Sequence, residues 1–290
     1  MNTSAKALIS EERSKFHKSI LKSLLICNEK GIPSNADKSQ ASSVAYAKSI
    51  FAQIGGTSNN LGESCAQTKG DEFEREVCEY IQATFAKLEK LRPGKWDIIQ
   101  IKGRNKNIIG NYAQYGHLSE LANIINQNPQ MSAYLGNDYT VAPDVVIARN
   151  LESDEELNTP SAIVDKESAL AADIRAGEGK LALLHASISC KWTLRSDRAQ
   201  NARAEALNLI RNRKGRQPHI IVVTGEPTPS RLSSLALGTG DIDCVYHIAL
   251  YELQKAVQES GNDEALSMLN TMIDGKRLKD ISDLPLDLSV

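Results

Sequence analysis

Apolar positions change their spacing partway along this chain of 290 residues. In the first half they recur at helical intervals, and in the second, short apolar runs alternate with helical stretches. Phe73, Val77, Ile81 and Phe85 lie four apart, so they stack on one side of a helix expected over 71–91, with Glu74 beside the stripe. Further helices are expected over 10–27, 42–53 and 111–133, and a strand over 96–101. Beyond these, strands are expected at 142–148, 183–192, 219–224 and 244–247, with helices over 199–211 and from the last strand to Gln258. Residues 150–179 read as a long polar connection. The pattern predicts a mixed central β-sheet flanked by helices, α/β in class. One domain suffices for this length, with a helical elaboration over about 1–135 and a core over about 136–260.

The run 183–192 carries the first candidate chemistry. Strand side chains alternate, so Ser187, Ser189 and Lys191 share one face while Ile188, Cys190 and Trp192 share the other. A lysine closing a polar face invites comparison with carboxylates elsewhere. Asp144 follows Pro143 ahead of an apolar run, at a strand start where proline removes a ladder donor. Glu205 lies on the helix over 199–211, on the face it shares with Asn201 and Leu209, and Ser196 or Asp197 is available as that helix's N-cap. Phosphodiester hydrolysis builds charge on a non-bridging oxygen and on the leaving oxygen. Two carboxylates can hold divalent ions there, and an ammonium can position water and neutralise charge. Taken singly, each residue has a plainer reading: a Pro-Asp turn, a solvated helix face, and a lysine protecting a sheet edge.

Charge distribution adds to the first reading. The chain has 34 basic and 36 acidic residues, a net charge of −2 that by itself implies no partner. From Lys191 to Arg216, however, eight basic side chains face two acidic ones, a local +6 that leaves −8 for the rest. Such a stripe suits a phosphate backbone. A helix C-terminus favouring cations accounts for Arg211 to Arg216, but Arg195 and Arg198 lie at the helix start, where cations are disfavoured. Arginine pairs bidentately with guanine and aspartate accepts from cytosine, so Arg195, Asp197 and Arg198 could read G·C pairs in the major groove. A plain ion-pair cluster is the competing explanation.

These stretches are similar to the type II restriction endonucleases that cleave sequences with a CCGG core. The resemblance runs from Phe16-His17-Lys18 to Leu284-Pro285-Leu286-Asp287-Leu288. It is strongest over Leu183 to Ala204, Arg211-Asn212-Arg213-Lys214-Gly215-Arg216, Glu226-Pro227-Thr228-Pro229-Ser230-Arg231, Ala236-Leu237-Gly238-Thr239-Gly240 and Gly275-Lys276-Arg277-Leu278-Lys279-Asp280. It is weakest over the first ten or so residues and roughly Leu151 to Ile174. The resemblance implies a PD-(D/E)xK nuclease fold in rearranged form, with Ser189 where the second acid usually stands and Glu205 in its place. Asp144 and Glu205 would then hold magnesium, with two ions per active site. Lys191 would activate water, Ser189 would line the site, and Glu74 would supply an acid from an earlier helix. For DNA, the resemblance implies major-groove contacts from Arg195, Asp197 and Arg198 to the CCGG core, and from Asp37 and Ser39 towards the outer pair. Minor-groove contacts would fall to Gln67 and Arg231. It further implies cleavage of double-stranded GCCGGC after the first G, by a homotetramer binding two DNA copies.

The remaining chemistry is unremarkable. The five cysteines (Cys27, Cys65, Cys78, Cys190 and Cys244) lack CxxC spacing and are odd in number, which points to a reducing cytoplasm, and the resemblance implies a bacterial one. Cys190 lies on the face opposite Lys191 and reads as core. The histidines lack zinc-ligand spacing, Gly238 and Gly240 lack a dinucleotide-loop context, and neither a signal peptide nor a membrane-length apolar run is visible. Two other functions remain open: a non-cleaving DNA-binding regulator, against which the acids and lysine argue, and a structure-specific repair nuclease, against which Arg195, Asp197 and Arg198 argue.

Overall fold

The computed structural model describes residues 6–57, 60, 66–102, 108–127, 130, 142–238 and 240–290. Six strands form one sheet in chain order: β1 (Trp96–Gln100), β2 (Val145–Arg149), β3 (Leu183–Lys191), β4 (His219–Thr224), β5 (Cys244–His247) and β6 (Leu278–Asp280). β1, β2 and β3 are antiparallel, whereas β3 to β6 run parallel. The direction of pairing therefore switches at β3, which has a neighbour on each side. This placement removes the edge-protection reading of Lys191.

The helices are α1 (Leu8–Ser23), α2 (Ala41–Gln53), α3 (Ala66–Thr84), α4 (Gly116–Gln127), α5 (Asp154–Leu157), α6 (Ser196–Asn212), α7 (Pro229–Ala236), α8 (Leu250–Glu259), α9 (Asp263–Asp274) and α10 (Leu284–Asp287). α3 lies across β1, β2 and β3 and also packs on α1, while α7, α8 and α9 cover the β5–β6 end. The stripe Phe73, Val77, Ile81 and Phe85 is fully buried, which is why α3 sits as it does. β2 and β3 are buried on both faces, and Val145, Val146, Ile147, Ala186 and Ile188 are sealed in the core. Ser187 and Ser189 are buried as well, so the polar face of β3 meets protein rather than solvent.

Several boundaries move. The helix expected over 71–91 stops at Thr84, whose hydroxyl donates to the Tyr80 carbonyl, and a single 3-10 turn spans Phe85–Lys87. Only Gly116–Gln127 of the expected 111–133 helix is α4, and most of the chain between Gln127 and Ala142 lies outside the described residues. The expected core of about 136–260 holds four of the six strands, and the sheet takes β1 from before it and β6 from after it. β6 is three residues long, too short for alternation to betray it. The connection from Asn150 to Ala182 is held by polar contacts. Ser153 and Glu156 form a capping box on α5, and Arg175 grips Asp154 with two hydrogen bonds of 2.7 and 2.8 Å.

Candidate active site

The reversal at β3 sets the C-terminal end of that strand beside the N-terminal end of β2. Asp144 stands there, one residue before β2, fixed from both sides. Its N–H donates to the Ile188 carbonyl of β3 at 3.2 Å, and its carbonyl accepts from the Ile101 N–H at 2.9 Å. The side chain is held equally firmly. Asp144 Oδ2 accepts from the Cys190 N–H at 2.6 Å and from Lys191 Nζ at 3.0 Å. Glu205 comes from the second half of α6, and Ser189 Oγ lies between the two acids, 3.5 Å from Asp144 Oδ2 and 3.2 Å from Glu205 Oε2.

Charge in this cluster is strongly coupled. Burial pushes the Glu205 carboxyl up, the negative charge of Asp144 adds to that, and Lys191 and the Ser189 hydroxyl oppose it. Burial pulls Lys191 down, but the facing Asp144 and Glu205 outweigh it and leave the pKa raised. Lys191 is accordingly an ammonium, a hydrogen-bond donor rather than a proton acceptor. Glu74 on α3 completes the acidic face. Burial first, and then Asp144, push its carboxyl up to about 7, while Gln100 Nε2, 3.5 Å from Glu74 Oε2, works the other way. Gln100 closes β1 and gave no sign in the sequence of belonging to the site. Cys190 points into the core, as its place opposite Lys191 predicts.

This donor set fits a hard divalent cation. Two carboxylates share one hydroxyl, and the charge coupling between them is what a bound cation would relieve. Among the described residues no group of three or more His, Cys, Asp or Glu is arranged as a metal cage. A pair of carboxylates leaves the remaining positions of a hard divalent cation to water and substrate phosphate. The pair Asp144 and Glu205 would hold it.

From Lys191 the chain runs through Trp192, Thr193 and Leu194 directly into α6, so the acid cluster and the arginine-rich helix start are contiguous. Arg195, not Ser196 or Asp197, is the N-cap residue, and no side chain caps the helix. The helix begins at Ser196, three residues before the expected start at Ala199, and just ahead of it the Leu194 N–H donates to Glu226 Oε2 at 2.9 Å. Arg195 and Asp197 are exposed, and Asp197 lies in the first turn, where the helix dipole favours it. Arg198 donates to Thr193 Oγ1 at 3.2 Å. The three side chains are thus not locked in an ion-pair cluster among themselves. At the other end of α6, Arg213 donates to the Ile210 carbonyl, in keeping with a helix-end role.

Asp37, Ser39 and Arg231 are brought together. Asp37 Oδ1 accepts from the Ser39 N–H at 3.0 Å and from the Ser39 hydroxyl at 2.6 Å, and Arg231 pairs with the other oxygen. These contacts, those of Ser39 first, hold the Asp37 carboxyl well below the ordinary range. Arg231 Nη1 also lies 3.7 Å from Glu226 Oε2. Gln67 sits in the first turn of α3, and its side chain lies outside the described residues. Glu226 itself escaped the sequence reading, because a lone glutamate before a proline looks like any loop residue.

A switching mixed sheet with paired acids and a lysine at the end of its reversal strand defines a restriction-endonuclease fold. A model of the NgoMIV restriction enzyme family matches residues 16–290. The type II restriction enzyme NgoMIV of Neisseria gonorrhoeae is 52% identical over 285 residues, covering 98% of this chain and 99% of that protein. The chain therefore belongs to the NgoMIV restriction enzyme family. It is a type II restriction enzyme, a site-specific deoxyribonuclease of a restriction-modification system, and it binds DNA. Enzymes of this family typically need a divalent metal. No helix among the described residues is long and apolar enough to cross a membrane.

Proposed function

We propose that this enzyme recognises double-stranded GCCGGC and cuts each strand after the first G, leaving four-base overhangs. The observation that carries the chemistry is the chain of hydrogen bonds that links Lys191 to Asp144, Asp144 to Ser189 and Ser189 to Glu205. Magnesium, two ions per site, would be held by Asp144 and Glu205, where it would polarise the phosphoryl oxygen and acidify bound water. Lys191, as an ammonium, orients the attacking water and neutralises charge that develops on the phosphate. Ser189 lines the cleft and keeps the two acids in register. Glu74, with a carboxyl near neutrality, adds a group able to hold or release a proton at the edge of the cluster. Water attacks phosphorus in line, the P–O3′ bond breaks, and the products carry 5′-phosphate and 3′-hydroxyl ends.

Arg195, Asp197 and Arg198 are the proposed readers of the CCGG core, Asp37 and Ser39 of the outer pair, and Gln67 and Arg231 of the minor groove. A palindromic site calls for two-fold symmetry, with each subunit reading one half-site, and the proposed assembly is a homotetramer binding two DNA copies. The test is to cut a plasmid library with purified protein and sequence the ends. GCCGGC with four-base overhangs supports the reading, and another sequence or scattered ends overturn it. Asp144→Ala and Glu205→Ala should both abolish cleavage while specific binding in calcium persists, and cleavage by Glu205→Ala at the normal rate would remove Glu205 from the metal site.

A further inference from the structure

We propose that Glu226 is a positioning residue for sequence-specific cleavage: its buried carboxylate fixes the short link between the catalytic lysine and the base-reading arginines, and couples that link to Arg231. The inference rests on the reading of Arg195, Asp197 and Arg198 as base readers.

Three residues, Trp192, Thr193 and Leu194, separate Lys191 from Arg195. Whatever sets their path sets the offset between the scissile phosphate and the bases being read. β3 and β4 are parallel and in register, with Lys191 opposite Thr224, so the chain leaving β4 travels beside this link. Glu226 stands two residues past Thr224 and is completely buried. Its Oε2 accepts the Leu194 N–H at 2.9 Å, and its Oε1 accepts the Thr228 N–H at 3.1 Å, just before α7 and Arg231. Arg231 in turn bridges to Asp37. One carboxylate therefore touches the approach to α6 and the approach to α7, and faces a side chain from the outer-pair cluster.

The backbone around Glu226 is gripped with equal care. Its carbonyl lies 3.1 Å from His247 Nε2, its N–H donates to Thr224 Oγ1 at 3.2 Å, and the preceding Gly225 carbonyl accepts from Asn35 Nδ2 at 2.8 Å. A Cβ at Gly225 would stand 3.2 Å from the Trp192 ring, so glycine lets this turn press against the link itself. Burial pushes the Glu226 carboxyl up, opposed by its bonds from Leu194 and Thr228 and by Arg231. A buried carboxylate whose partners are two backbone donors and one reading arginine is costly as a mere brace, because apolar packing would serve that end. Placed here, it makes the position of the readers depend on one hub.

Glu226→Gln keeps the shape but sets an amide N–H2 against a backbone donor and removes the charge facing Arg231. Affinities in calcium would be measured for a GCCGGC duplex, for one changed at a core pair in each half-site, and for scrambled DNA. Single-turnover cleavage at saturating protein completes the set. Discrimination between cognate and scrambled DNA should fall by at least about tenfold, the factor one well-placed arginine–guanine pair can supply, with scrambled-DNA affinity nearly unchanged and the cleavage step slowed. Arg175→Ala, which breaks the pair with Asp154 in the connection at the opposite end of β2 and β3 from Lys191, should lower thermal stability and leave discrimination intact. If Glu226→Gln fails to fold, Glu226→Asp, which keeps the charge but shortens its reach, should show the same loss. Equal changes in affinity for all three DNAs, or a lowered melting temperature alone, would overturn the inference. Arg198→Ala separates the two levels. If it abolishes discrimination and neither Glu226 variant does, only the positioning role falls; if it leaves discrimination intact, the reading of the arginines falls and the role of Glu226 with it.

Discussion

Replacing Glu74 by glutamine should make the metal-free enzyme more stable at alkaline pH and leave it nearly unchanged in acid. The folded protein raises this carboxyl from its ordinary 4.5 to about 7, chiefly by burial and then by Asp144. Between those values the folded state keeps a proton that the unfolded chain has released, so stability is fully present below the unfolded pKa and is lost as pH rises through the folded one. At about 1.4 kcal/mol per pH unit the loss amounts to roughly 3 kcal/mol, and partial exposure of the side chain discounts it to about 2 kcal/mol. Glutamine carries no charge at any pH and escapes it. Urea unfolding in EDTA at pH 5 and pH 8, at one fixed protein concentration, measures the difference. Trp192 reports on the same place, its ring centroid 5.1 Å from that of Phe73 on α3 and the two rings edge to face. The variant should gain about 2 kcal/mol over wild type at pH 8 and only about 0.5 kcal/mol at pH 5. An equal gain at both pH values would refute the reasoning, since the benefit would then come from packing and not from the charge.

Other perturbations divide chemistry from scaffold. Lys191→Ala should keep cognate affinity in calcium within about a few-fold, since one ammonium is a small share of the phosphate contacts, yet slow single-turnover cleavage by orders of magnitude. Collapsed binding with normal chemistry would make Lys191 an anchor only. Arg13→Ala should cost about 3–5 kcal/mol in denaturant unfolding, because it strips two short hydrogen bonds from the fully buried Asp280; a loss below about 1 kcal/mol would show water replacing the guanidinium. Arg213→Ala should cost about 1 kcal/mol of stability by uncapping the Ile210 carbonyl and leave the salt dependence of DNA binding as it was. A flatter salt dependence would instead make Arg213 a phosphate contact.

Strong periodicity made much of this molecule legible. The α3 stripe fixed which side of that helix meets the sheet, and the runs at β2, β3 and β4 were visible because strands buried on both faces are apolar throughout. Asp144, Lys191 and Glu205 could be picked out because each sits at an element boundary or on a helix face whose position the pattern predicts. Gln100, Glu226 and Thr193 could not. Their roles come from which strand ends lie side by side, and that depends on pairing across long stretches of chain. β6 was missed for a related reason, since it packs beside β5 across 30 intervening residues and owes its form to that partner rather than to local preference.

The connection that leaves β2 after Arg149 and rejoins at Leu183 lies at the opposite end of the sheet from Asp144 and Lys191. Its stretch Pro160 to Ala162 is exposed, whereas Arg175 grips Asp154 together with the carbonyls of Asp165 and Ser168. Lengthening that stretch costs little, about 0.6 kcal/mol for each doubling of a flexible loop, so it can take up added chain without disturbing the distances among the acids and the lysine. A fluorophore or surface tether placed beside Ser161, with Arg175 and Asp154 kept, would allow single molecules to be followed on DNA while the cutting end stays as it was.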